Sequence, residues 1–232
     1  MPTSPTALRT AGDRAASRER TRGRLLAVGR RAFAKKGLAG TNLKDDILVP
    51  ARVSVGSFYH QFRDKTDLFV AVLEQHGETF RAMIHAAHMR GEHVDPAEAG
   101  RHSYDTVFRI AEQNDDLFRI LARERESEDP RVRSYLRDSH RRWVDSLAED
   151  YRRLGLGSVA SEPLHLAAEI ISAMTAGTVL NYLDLPARER TAKRERIIDA
   201  LVQFTLGGLV GLLGTPPPPR RRRAVKTTKG ER

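Results

Sequence analysis

The chain contains no cysteine. That excludes disulfide staples, thiolate metal sites, thiol redox chemistry and cysteine nucleophiles together, and it suits a reducing cytoplasm, the expected location. Alternating runs of β-branched residues are missing, so no sheet is expected. No stretch of about 18 uninterrupted apolar residues occurs, so no membrane partner is expected. The opening segment, MPTSPTALRTAGDRAASRERTRG, lacks the apolar run of a secretory signal. Catalytic signatures are missing too: there is no Ser–His–Asp order, glycine-rich phosphate loop or metal-ligand spacing. Asp45 and Asp46 are adjacent and face different sides of a helix, so they are no acid–base pair. His85, His88, His93 and His102 are irregularly spaced across a loop. The expectation is therefore no enzyme, no cofactor and no metal.

What is present is charge, unevenly spread over a total of +10. Residues 1–24 hold six arginines against Asp13 and Glu19, a net +4. Residues 25–65 hold eight basic and three acidic residues, a net +5, and residues 215–232 hold seven basic residues and Glu231, a net +6. The body between them is therefore net −5. A basic N-terminal quarter and a basic tail around an acidic body point to a polyanionic partner held by one end of the molecule. A solvated arginine-rich surface has the same composition.

Ala, Leu, Arg and Glu abound, and Gly and Pro punctuate helices. A helix is expected over 17–36 with Gly37 as its stop. A second starts near Thr41 or Asn42, either able to cap it, and Pro50 should end it. Ser54 caps a third over 54–61, and Asp64 caps a fourth with Asp67 in its first turn. Beyond the loop GEHVDP come helices over 96–113 and 116–127. A long amphipathic helix follows EDP, and a nearly all-apolar one opens at SEP with Pro163 near its first position. The last runs over 188–213.

The expected fold is all-α. It has an N-terminal three-helix helix-turn-helix DNA-binding domain at 17–65 and a larger C-terminal helical domain for ligand binding and dimerisation at 66–214. A disordered basic arm at 1–16 and a disordered basic tail at 215–232 flank them. In VSVGSFYHQF, Phe58 and Phe62 pack inward while Ser57, Tyr59 and His60 face out. Gly56 keeps the helix thin. Such a helix enters the major groove, where a hydroxyl and an imidazole reach phosphates or base edges. Lys65 adds an ammonium at the next helix start.

At these residues the chain resembles the TetR family of bacterial repressors. Gly37, Thr41, Val53, Ser54, Gly56, Ser57, Phe58, Tyr59, His60, Phe62 and Lys65 follow the family signature, and the likeness spans about residues 20–73. It implies DNA contacts by Thr41, Ser54, Ser57, Tyr59, His60 and Lys65. It also implies a homodimer through the last two helices and a C-terminal pocket for a small-molecule effector that controls repression. Three departures stand out. One extra residue lies between Thr41 and Ser54, Pro50 is present, and Arg52 replaces the family's usual turn glycine. An arginine there reaches phosphate but strains any turn that needs positive φ. Val55, where relatives often carry Lys or Arg, removes one possible backbone contact.

The apolar helix at 164–183 and the apolar end of the last helix, with Gly207, Gly208 and Gly211, suit a two-fold interface and hence a roughly palindromic operator. His102, Phe108, Phe118, His140, Trp143, Met174 and Thr178 are the candidate pocket residues, with Tyr104 and Tyr135 among the large groups beside them. The alternative function is an architectural DNA-binding protein without a ligand.

Overall fold

The computed structural model describes residues 11–90, 95–156 and 159–213. The expected tail, most of the expected arm and His93 lie outside the described residues. Among those described there are nine helices and no strand.

Helix α1 spans Ala11–Gly40. It begins six residues before the expected start, so 11–16 are helical rather than disordered; the Ala-rich stretch forms helix readily, and Asp13 sits in the first turn, where a carboxylate favours the dipole. Gly37 breaks the helical geometry as expected, with φ 70° and ψ 175°, a conformation open to glycine.

Helix α2 combines a π-helical turn, Leu43–Leu48, with Val49–Ala51. Asn42 caps it, its side-chain oxygen accepting from the Asp45 N–H at 3.0 Å. Pro50 does not end it. A proline ring inside an α-helix collides with the carbonyl four residues earlier. Here the Val49 N–H reaches back five residues to the Lys44 carbonyl, which widens the turn and absorbs the extra residue. Ile47, Leu48 and Ala51 stay buried as a result.

Helix α3, Val55–Tyr59, is capped by Ser54. Helix α4, Lys65–Arg90, starts in a reciprocal box. Asp64 accepts from the Asp67 N–H at 2.8 Å, and Asp67 accepts from the Arg63 N–H at 2.9 Å. Helices α5 (Pro96–Gln113) and α7 (Pro130–Tyr151) are capped by Asp95 and Asp129, each with proline in the first turn. Helix α6 is Asp115–Glu124, and a second π-helical turn, Arg152–Leu156, follows α7. Helix α8, Ser161–Leu183, begins two residues before Pro163, which therefore lies third in the helix instead of first. That position is tolerated because the first N–H groups of a helix have no internal partner. Helix α9 is Ala187–Leu213.

One core joins α1, α2, α3 and the start of α4, with Leu25, Phe33, Ile47, Phe58, Phe62 and Leu68 buried. Leu117 and Ile120 of α6 and Val132 of α7 belong to the same core. Helix α4 starts at Lys65, so the boundary placed at 65/66 falls at its first residue. The N-terminal helices are thus packed onto the C-terminal ones, not strung beside them. A second core sits between α5, α8 and α9, where Phe108 meets Tyr182 edge-on at 4.8 Å. The Tyr182 hydroxyl donates to Glu112; burial first and the neighbouring carboxylate second push its pKa up to about 12. Helix α8 is long and apolar enough to cross a membrane by length and composition, and 28% of that apolar window is buried within the chain.

Candidate nucleic-acid interface and ligand cavity

The end of α2, the turn and α3 form one surface. The Arg52 N–H bonds the Val49 carbonyl and the Val53 N–H bonds the Leu48 carbonyl, both at 3.1 Å. This crossed pair is a Schellman closure, with Arg52 in the position glycine usually fills. Its φ is 53° and ψ 49°, so the turn does need positive φ, and Arg52 is exposed there. Arg52→Gly should raise unfolding stability by about 0.5–1 kcal/mol, the left-handed penalty less the entropy of an added glycine. Melting should rise by a few degrees while DNA affinity falls. A lower melting temperature would mean that the arginine side chain packs favourably.

Ser54 and Ser57 are exposed and bonded to each other, with Oγ to Oγ at 2.9 Å and the Ser57 N–H to Ser54 Oγ at 3.2 Å. Tyr59 is 56% exposed while its ring leans edge-on against buried Phe58 at 5.3 Å. His60 is exposed at the helix end. Around Gly56 an added Cβ would meet nothing within 4 Å, so the helix is thin on its open side.

Thr41 differs from expectation. It is 2% exposed and its hydroxyl donates to the Gly37 carbonyl at 2.6 Å, so the side chain closes the kink within α1 and offers no surface to DNA. Lys65 is half-buried. Its ammonium donates to the Thr41 carbonyl at 2.7 Å and the Ala39 carbonyl at 3.4 Å, tying the start of α4 to the segment before α2.

The extended α1 adds what the sequence reading missed. Gln61 Nε2 donates to the Arg18 carbonyl at 3.1 Å, and the Arg22 guanidinium lies 4.6 Å from the centre of the Phe62 ring. The N-terminal arginines are therefore carried by a helix lying against the end of α3. The Ala-rich composition was the available signal.

A cavity of about 2280 Å3 opens between α4, α5, α6, α7, α8 and α9. Of the seven candidate pocket residues, Phe118, His140 and Trp143 line it. Phe80 stacks on Trp143 with ring centres 5.2 Å apart. The other four candidates do not line it. His102 is exposed on the outer face of α5, and Phe108, 0% exposed, is filled into the second core. Met174 packs against that core, and Thr178 is half-buried one turn further along the same side of α8, facing away from the cavity.

Polar lining residues that the sequence did not single out include His76, Asn114, Thr175 and Thr205, and His88, weighed there only as a metal ligand, lines it too. His85 and His88 do come together, but on a carboxylate. Asp150, 2% exposed, meets His85 Nδ1 at 2.6 Å and His88 Nδ1 at 2.7 Å. No group of three residues able to hold a metal occurs among the described residues.

The cavity wall and α1 meet at Arg30. Its guanidinium grips Asp116 of α6 through two bonds of 2.6 Å. It also donates to Asn114 Oδ1 at 3.2 Å and lies 3.4 Å from His76 Nε2. Burial raises the Asp116 pKa, but the Arg30 bonds and charge outweigh it and hold the carboxyl below its usual value. His76 is lowered by burial and then by Arg30. A second clamp lies further along α6, where the buried Glu124 carboxylate accepts from the Leu38 N–H at 2.9 Å.

Residues 25–72 match the family model for bacterial regulatory proteins of the tetR family. Over 195 residues the chain is 27% identical to an uncharacterized HTH-type transcriptional regulator of Haemophilus influenzae, covering 81% of this chain and 90% of that protein. It is 38% identical over 72 residues to the transcriptional repressor NemR of Escherichia coli, covering 31% of this chain and 36% of NemR. A putative TetR-family regulator from Syntrophomonas wolfei superposes with a TM-score of 0.67 over 84% of this chain and 97% of that one, at 20% identity, which shows a common fold. The signature segment, a relative matched over most of the chain and the shared all-α architecture agree: residues 25–72 match the DNA-binding segment of the tetR family of bacterial regulatory proteins, and the chain as a whole resembles HTH-type transcriptional regulators.

Proposed function

We propose that this protein is a repressor that binds a palindromic operator as a homodimer and leaves it when a hydrophobic small molecule fills the cavity. Arg52, Ser54, Ser57, Tyr59 and His60 make the DNA contacts in this reading. The arginines of α1 add phosphate contacts beside α3. The helices up to the start of α4 are the reading domain, and the remainder senses.

One observation carries the proposal. Asn114 and His76 line the cavity, and both touch Arg30, which anchors α1 to α6. A ligand that displaces either group changes how the reading domain is held. It shifts operator affinity only by its unequal binding to the two arrangements. An architectural protein would have no use for such a cavity.

The second protomer is inferred from exposed apolar surface. Leu166 and Ile170 on α8 and Phe204 and Leu212 on α9 are exposed. Ala173 and Gly177 continue the α8 stripe and also line the cavity's open side, so a partner there would cap the site.

The test measures anisotropy of the purified chain on DNA upstream of its own gene, with random DNA as competitor. Asp116→Ala frees Arg30 without touching the DNA-facing surface. Operator affinity should fall about 5- to 10-fold, the lower range of ordinary coupling energies. Affinity unchanged within about twofold would remove α6 as the link.

A further inference from the structure

At one end of the cavity, polar groups from five helices gather. His88 (α4), Tyr104 (α5), Tyr151 (α7), Thr175 (α8) and Thr205 (α9) all line it. The Tyr104 hydroxyl is bonded to Thr205, with Thr175 beside it. Tyr151 lies beside it, with its ring centre 6.3 Å from that of His88.

Two atoms in this group have no protein partner among the described residues. His88 is 8% exposed and its Nδ1 is engaged by Asp150, which leaves Nε2 unpaired. The Tyr151 hydroxyl is unpaired as well. Their roles follow from the neighbours. An ionised Asp150 only accepts, so His88 carries its proton on Nδ1 and, when neutral, presents a lone pair at Nε2. Burial holds the Tyr151 phenol well above its usual range and raises Tyr104 too, so Tyr151 keeps its O–H to donate. The cavity thus offers one acceptor and one donor, on rings whose centres lie 6.3 Å apart.

We propose that this end of the cavity is a receptor for a hydroxyl group on an apolar molecule, a phenol or an alcohol. The ligand O–H donates to His88 Nε2, and its oxygen accepts from the Tyr151 hydroxyl. A single hydroxyl satisfies both atoms, which a hydrocarbon cannot. A carboxylate cannot donate, and it brings a second negative charge towards buried Asp150. The arginines lining the cavity nearby, Arg152 and Arg153, are both paired with Glu149. Met83, Ile84, Leu147 and Leu206 supply apolar wall for the body of the ligand. This inference rests on the reading of the cavity as the effector site.

The experiment uses the full chain and three probes with one apolar body: 1-naphthol, 1-naphthoate and naphthalene. Calorimetry should show 1-naphthol binding at least about 10-fold more tightly than the other two, since a site built around a hydroxyl penalises analogues lacking it. Tyr151→Phe, which removes one oxygen, should erase most of that preference and leave naphthalene affinity unchanged; His88→Gln serves as a second variant. Equal affinities, a preference for 1-naphthoate, no binding by any probe, or a preference surviving both variants would each overturn the proposal. Operator anisotropy with each probe separates the two readings. Tight 1-naphthol binding without DNA release keeps the hydroxyl receptor and removes the effector role. Release by 1-naphthoate alone keeps the effector role and removes the hydroxyl receptor.

Discussion

Tyr59→Ala should abolish selective operator binding while the protein stays folded. The side chain is 56% exposed and bonded to nothing among the described residues, so its hydroxyl is free to meet a phosphate or base edge. Losing such a contact costs about 1–3 kcal/mol per half-site. In a homodimer the loss is felt twice, so the expected drop is at least about 30-fold. Stability should change little. The edge-on contact with Phe58 contributes on the order of 1 kcal/mol, or a few degrees of melting temperature. Tyr59 carries no charge, so the salt dependence of binding to random DNA should be unaltered. Anisotropy across a salt series, paired with a thermal melt, checks each part. Undiminished selectivity in Tyr59→Ala would move the reading surface elsewhere, with the basic face of α1 the first place to look.

Phe204→Glu should split the dimer and take operator affinity with it. Phe204 is 72% exposed, an unusual state for so large an apolar side chain, and the chain's own fold does not depend on it. It lies on one stripe with Ala200, Gly208 and Gly211, which are exposed at helical spacing and leave room for close approach of another helix. Two buried carboxylates facing each other across a two-fold axis are strongly unfavourable. Sedimentation should show monomers. Operator affinity should fall by at least about 100-fold, because two linked heads gain from effective concentration and separate ones do not. A dimer that persists would place the interface elsewhere. Partition of the wild type onto lipid vesicles would assign the apolar face of α8 to a membrane instead.

The reading motif was legible because its instructions are local. Ser54 caps α3, Asp64 and Asp67 box the start of α4, and Phe58 and Phe62 sit four apart on the inward side. Each relation spans a few residues, where spacing alone decides which groups can meet. Arg52 was recognisable as a strained substitution for the same reason, and its φ of 53° bears this out. Pro50 was misread although it too is local. Its outcome turned on whether the helix could widen by one residue, and burial of Ile47 and Leu48 in the shared core favours that register. Thr41 was misplaced because its surroundings belong to the Gly37 kink, whose carbonyl takes the hydroxyl.

The cavity was not legible in this way. That the last helices are apolar, and that aromatic residues would fill a helical interior, follows from composition and period. Which of them border empty space depends on helix rotation and crossing, which no spacing along one helix encodes. Phe108 is buried in the core, and Phe118, Trp143 and Met174 all pack against it, yet only Phe118 and Trp143 also border the cavity. The groups that matter most are far apart in the chain. Arg30 meets Asp116 across 86 positions, and His88 meets Asp150 across 62. Local order along the chain accounts for the helices, their caps and the surface offered to DNA. The cavity and its contact with α1 exist only once the helices have packed, because each is a meeting of side chains that the chain itself keeps apart.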